Sequence, residues 1–300
     1  MTVRLSSLLV GFLLISAGTL LGQSPCTPPD SMKAQLNDNP NASAYNDLGV
    51  WFADQKQYAC AADAFATSLQ KEPDQKDAPH VAFMFGVSLY FSGDAKEAIP
   101  ALQEAEQLGY RDAKLHIILA GALDQSHSTK DAEQEWRAAL EFDPESSAAL
   151  DALSNDLLLD NDFPAIIALL DVPRLLGQRT PRQALNLAAA YAATGKLDQA
   201  ANVLRDGLNT SPDSLEIADR LAIILMQLNR GDEALALLNL TVEEHPENAR
   251  AHEALGIVLA QLKQMAAAKE QFERAIALGD NSPEAKANLA KAVAALGTGK

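Results

Sequence analysis

From Ala42 onward, apolar positions fall at helical spacing. Tyr45, Leu48, Gly49 and Phe52 lie three, one and three residues apart, which places them on one face of a helix. The polar run from Asp54 to Gln57 breaks that face. A second amphipathic stretch extends from about Tyr58 to Lys71 and stops before Pro73. The pattern predicts two antiparallel helices joined by a tight turn, each too thinly covered to stand alone.

The same frame returns with a period of 34 residues. Its second half reads small, bulky apolar, small, proline. The residues are Ala61, Phe65, Ser68 and Pro73, then Ala132, Trp136, Ala139 and Pro144, then Ala200, Leu204, Gly207 and Pro212, then Ala234, Leu238, Thr241 and Pro246. The second copy starts near Pro79, after about three extra residues from Lys76 to Ala78, and carries Phe85, Gly86, Leu89, Ala98, Leu102 and Ala105. The third starts at Ala113, the fifth at Pro181, the sixth at Leu215 and the seventh at Ala249. Thr180 and Gln183 form an expected capping box, with Pro181 at the first helical position. Residues 283–296 make one more helix, expected to close the array with a polar back.

The fourth copy departs from the frame. Its first helix keeps Leu150, Leu153, Ser154 and Leu157, but Pro164 and Pro173 disturb the second. A short helix from about Pro164 to Asp171 is expected, then irregular chain through Gln178. Two readings stand side by side: a decayed repeat that still packs, or a hinge. The chain thus divides into a leader (1–24), an irregular tail (25–41), repeats one to three (42–146), the fourth copy (147–180), repeats five to seven (181–282) and a closing helix and tail (283–300).

Seven phased copies resemble the tetratricopeptide repeat. That resemblance implies an all-α solenoid, a right-handed superhelix of antiparallel helix pairs with a concave inner face. In this family, places 2, 5, 6, 9, 12 and 13 of the first helices line the groove. In the second copy those places include His80, Phe83, Val87, Tyr90 and Phe91. This aromatic set is either a pocket for a partner or packing against the extra residues before Pro79 or the N-terminal tail. Farther along, the groove carries Asn155, Arg182, Asn186, Arg220 and Arg250. Some tetratricopeptide modules hold carboxylate tails with two Asn, two Lys and one Arg or Lys. Here Asn155, Asn186 and Arg220 match, but Asp151 and Glu216 occupy the lysine places. Two reversed charges repel a carboxylate, so that specificity is not expected. The resemblance implies a protein or peptide partner in the groove, its apolar end near Phe83 and Tyr90 and its polar end near Arg182 and Arg220.

Charge and composition narrow the field. A net charge of −16 disfavours sequence-independent nucleic-acid binding, which needs clustered Lys and Arg. It equally disfavours docking on anionic lipid. Residues 1–25 differ from the rest: Arg4 is their one charge, and Leu5 to Leu21 are apolar and small. This is the form of a secretory signal, cut after Gly22 or Ser24, with an uncleaved anchor as the alternative. Export to a periplasmic or extracellular space gives the two cysteines, Cys26 and Cys60, an oxidising setting. They are expected to pair and tie the irregular tail to the first repeat, with two free thiols as the alternative.

Catalytic chemistry is not in evidence along the chain. No histidine pair has metal-binding helical spacing, and no glycine-rich phosphate loop or nucleophile elbow occurs. No cofactor is expected. His116 and His252 take the helix-packing place of Tyr45. The leading expectation is an exported, non-catalytic scaffold that holds a partner segment in its groove. The alternative is a structural or assembly component of an envelope complex that uses the outer helix faces. Exposed apolar residues on the second helices would favour assembly, and apolar surface confined to the groove would favour peptide binding.

Overall fold

A computed structural model describes residues 26–297. The leader expected at 1–24, its cut site and the final three residues lie outside the described residues. Within them the chain is all-helical, with sixteen α-helices. After α1 (Asp30–Asp38) come seven pairs: α2 (Ala42–Asp54) with α3 (Tyr58–Lys71), α4 (Ala78–Ser92) with α5 (Ala95–Gln107), α6 (Ala113–Gln125) with α7 (Thr129–Phe142), α8 (Ser147–Leu159) with α9 (Phe163–Leu170), α10 (Pro181–Ala193) with α11 (Leu197–Thr210), α12 (Leu215–Gln227) with α13 (Gly231–Glu244), and α14 (Ala249–Gln261) with α15 (Met265–Ala277). The last helix is α16 (Pro283–Gly297). None of the described helices is long and apolar enough to cross a membrane.

The small and bulky places of the frame meet inside each pair. A Cβ added at Gly49 would lie 2.6 Å from the Phe65 ring, and one at Gly256 would lie 2.7 Å from Phe272. The first helix is therefore small where the second helix inserts its largest side chain. Phe65, Leu102, Leu204, Leu238 and Phe272 are almost wholly buried, each contributing about 2–3 kcal/mol of apolar transfer. Consecutive pairs share these faces, so the core runs from α4 through α15 without a break.

Every turn within a pair has the same closure. The fifteenth place of each copy is left-handed: Lys56, Gly93, His127, Asn161, Gly195, Asn229 and Lys263 all have positive φ. In the third copy, the amide of His127 donates to Asp124 and that of Ser128 donates to Leu123. Those two bonds satisfy carbonyls at the end of the first helix. Only two of the seven residues are glycine, so sequence carries little trace of this shared geometry.

The two ends of the array depart from expectation, while the proposed disulfide is present. The tail read as irregular contains α1, which follows Pro28 and Pro29. Its two large apolar residues, Met32 and Leu36, pack on the first repeat beside Leu48 and Phe52. Two such positions in nine residues are too few to register as a periodic face. A disulfide joins Cys26 to Cys60, with the Cα atoms 5.5 Å apart, and tethers this helix to α3. At the other end, α16 buries Ala285 and Ala292 but leaves Val293 and Leu296 exposed, so the closing helix is less polar than expected.

The fourth copy is packed as well as its neighbours. Ile166 and Leu170 of α9 are fully buried, and Leu175 of a following 3-10 turn (Pro173–Leu175) is buried too. Arg179, 6% exposed, donates from Nε and Nη2 to the carbonyl of Leu170 at 3.0 and 2.8 Å. It thereby caps the C-terminus of the shortened helix. The Tyr191 hydroxyl donates to Asp171, whose carboxylate also lies 3.7 Å from Arg179. Burial, with the Asp171 carboxylate adding to it, pushes the Tyr191 phenol up to about 12. The capping box is present: Gln183 N donates to Thr180 Oγ1, and Thr180 N is met by Gln183 Oε1.

Candidate partner-binding groove

The first helices of copies four to seven present a continuous groove. Between α8, α10 and the start of α12 lies a hollow of about 610 Å3, lined by Asn155, Leu158, Arg182, Leu185 and Asn186 among others. Between α12 and α14 lies a second, of about 470 Å3. Glu216 and Arg220 line both, so the two are halves of one channel. Their lining falls on the groove places of the 34-residue frame, because those places face away from the second helices that complete each pair.

The α12–α14 crevice has the more pronounced character. It reaches buried Ala222, Leu238 and Val258, and its walls include Ile223, Met226, Ala254 and Ile257. Ile223 is 48% exposed and Ile257 36% exposed. Charged groups rim this apolar interior: Glu216, Asp219, Arg220, Arg250 and Glu253. Arg250 Nε donates to Asp219 at 2.6 Å. Burial nevertheless raises the Asp219 carboxyl, with Arg250 and Arg220 opposing. Burial also raises Glu253, and the nearby acids Asp280, Asp219 and Glu284 push it the same way.

The α8–α10 half is stiffened by its own hydrogen bonds. Asp151 accepts from Thr180 Oγ1 at 2.8 Å and from Gln183 Nε2 at 2.7 Å. Asn186 is buried and donates to Ser154 Oγ at 3.0 Å. It is therefore a wall component, not a free contact for a peptide backbone. Arg182 and Arg220 are exposed and have no ion pair among the described residues.

Within the aromatic set of the second copy, Phe83 and Tyr90 are covered by the chain's own residues, while His80 and Phe91 stay exposed. Phe83 is buried at 6% exposure and stacks on Tyr110, ring centroids 4.3 Å apart. His80 sits over the same Tyr110 ring at 5.9 Å. Tyr90 reaches over α6 where Gly121 leaves room: a Cβ there would meet its hydroxyl at 2.8 Å. Val87 packs on the core, while Phe91 contacts Tyr58 on another edge. The packing partners are thus Tyr110 and Gly121, not the extra residues or the tail. Of the ten groove residues expected from sequence, Asn155, Arg182, Asn186, Arg220 and Arg250 share the channel, and the five of the second copy lie elsewhere. Ile223, Met226, Ile257, Leu158 and Leu185 were missed. They occupy the same groove places, and their signal was apolar residues at positions that are not core positions of the frame.

Other polar residues have structural partners. His116 meets Glu135 at 2.7 Å, and His252 meets Gln271 at 2.7 Å. Both rings are buried, as the packing place of the frame requires. No group of acidic, histidine or cysteine residues suited to a metal ion occurs among the described residues.

Two stretches match tetratricopeptide repeat models, residues 83–147 and 191–258. Solved structures share the fold. The C-terminal part of a tetratricopeptide repeat-containing protein from Cytophaga hutchinsonii superposes with a TM-score of 0.64 at 15% identity, covering 80% of this chain and 98% of that one. A tetratricopeptide repeat protein from Parabacteroides merdae gives 0.53 at 15% identity, covering 84% and 98%. Pseudomonas aeruginosa pilF gives 0.53 at 19% identity, covering 72% and 98%. No curated protein matches the chain in sequence.

Proposed function

From a chain that carries tetratricopeptide repeats and one open channel, we propose a non-catalytic scaffold that holds a partner polypeptide segment across α8, α10, α12 and α14. The tetratricopeptide fold in general mediates protein–protein interaction without catalysis. The observation that carries the reading is the pairing of Ile223 and Ile257, two exposed aliphatic side chains walling one crevice that descends to the core. Exposed apolar groups rimmed by charge mark contact surfaces. On the second helices, by contrast, exposed large apolar residues are scattered: Phe142 on α7 and Leu240 on α13. That distribution favours the groove over the outer faces.

A photo-crosslinking residue at position 257, with a control at 240, tests this in the native compartment. A polypeptide captured from 257 and not from 240 is expected. Capture from 240 alone would transfer the function to the outer faces. The partner's residence in an exported compartment is part of the same proposal, and the Cys26–Cys60 pair supports it, because disulfides persist where conditions oxidise. A second reading, assembly end to end, draws on the exposed Val293 and Leu296 of α16.

A further inference from the structure

Resting on the groove reading, we propose that the α12–α14 crevice selects a segment bearing one aliphatic side chain flanked by lysine or arginine. Shape sets the first half of this requirement. Ala222 and Ala254 are small, so the wall between α12 and α14 opens downward to Leu238 and Val258. A hollow of about 470 Å3 accepts one leucine-sized anchor and the backbone on either side of it. A charged or amide side chain placed there would lie against apolar atoms and lose its water without a partner.

Charge sets the second half. The edge of the crevice toward α16 holds Glu253, with Asp280 and Glu284 near enough to act on it. None of these three carboxylates has an ion-pair partner within 4 Å among the described residues. Arg250 lies on this crevice but is already engaged by Asp219 at 2.6 Å. Arg220 faces the other half of the channel as well. Arg250 offsets part of the repulsion at Glu253, and an incoming cation beside the anchor, on the α16 side, relieves the remainder. The net charge of −16 reinforces the choice at longer range by steering cations inward.

The test uses three fluorescein-labelled, end-capped nine-residue peptides. Each has a central leucine in a glycine–serine background, with flanking positions occupied by lysine, glutamate or serine. Anisotropy titrations of the full mature protein at low salt should rank them lysine, serine, glutamate. Each exposed charge pair is expected to change affinity up to about fivefold, so the lysine and glutamate peptides should differ by several-fold. Raising ionic strength should shrink that gap. The double substitution Glu253→Lys with Glu284→Lys should reverse the ranking, with helical circular dichroism unchanged. Ile257→Ser should weaken all three peptides.

If the serine or glutamate peptide binds as tightly as the lysine peptide, and Ile257→Ser still weakens it, the cationic requirement is overturned and the groove reading stands. If no peptide binds up to about 1 mM, the crevice is no peptide site and both fall. If the protein forms a dimer that Ile257→Ser dissolves, the occupant is a second copy and the proposal is overturned.

Discussion

Replacing Arg179 with alanine should loosen the array at one place. The Arg179 guanidinium is buried and makes two donations to the Leu170 carbonyl. That carbonyl ends α9 and has no next turn to serve it. Losing its partner leaves a buried acceptor unsatisfied, at about 1–3 kcal/mol. The buried aliphatic stem adds packing loss, on the order of 1 kcal/mol. The contact with half-exposed Asp171 adds less than about 1 kcal/mol. Water entering the vacated space offsets part of this, so about 2–3 kcal/mol is expected. Because long arrays unfold in segments, a single melting temperature is a poor readout. Amide hydrogen exchange is the better assay. Protection should fall about 30- to 140-fold in α8 to α10, at roughly 1.4 kcal/mol per decade, and hardly at all in α2 and α3. Arg179→Lys should fall between, since it keeps charge but not the fork. Unchanged protection in α9, or an equal loss in every repeat, would refute the claim that Arg179 caps the shortened helix.

Three further outcomes follow from the packing. His127→Gly and Lys263→Gly should each raise stability by about 0.5 kcal/mol in urea unfolding, because their positive φ strains an L residue by more than glycine's extra chain entropy costs. Gly256→Leu should cost about 3 kcal/mol or more by the same measurement, because even a Cβ there would stand 2.7 Å from Phe272. The folded state holds the Tyr191 proton more tightly than the unfolded one, whose phenol titrates near the ordinary tyrosine value of 10.0. That contribution is present below about pH 10 and lost as pH rises toward 12; Tyr191→Phe should flatten the alkaline limb of the stability profile relative to wild type, and equal slopes would argue against the Asp171 bond.

Much of this architecture was legible because helix pairing imposes a chemical repeat. A bulky residue such as Phe272 requires a small one such as Gly256 opposite, and that pair recurs in phase. Groove places could be read for the same reason, since they are what pairing leaves uncovered. What could not be read depends on contacts between copies. Phe83 looked like an offered aromatic, but Tyr110, at the place where most copies have proline, closes over it. Asn186 looked like a free amide, yet it donates a hydrogen bond to the Ser154 hydroxyl of the preceding copy. Helix α1 escaped notice because a covalent tether and two side chains hold it, not an amphipathic face of its own.

The irregular fourth copy and the groove are physically linked. Shortening its second helix leaves α9 with a buried carbonyl end that no further turn serves and a longer connection to α10. Arg179 closes that end, and the connection delivers Thr180 and Gln183 onto Asp151 of α8. These bonds join the two walls of the α8–α10 hollow side by side. A channel whose walls are tied before a partner arrives loses less side-chain freedom when the partner binds. The fourth copy is therefore a brace beside the groove, and damage at Arg179, which lines neither hollow itself but directly precedes Thr180, should reach the channel through the position of α10.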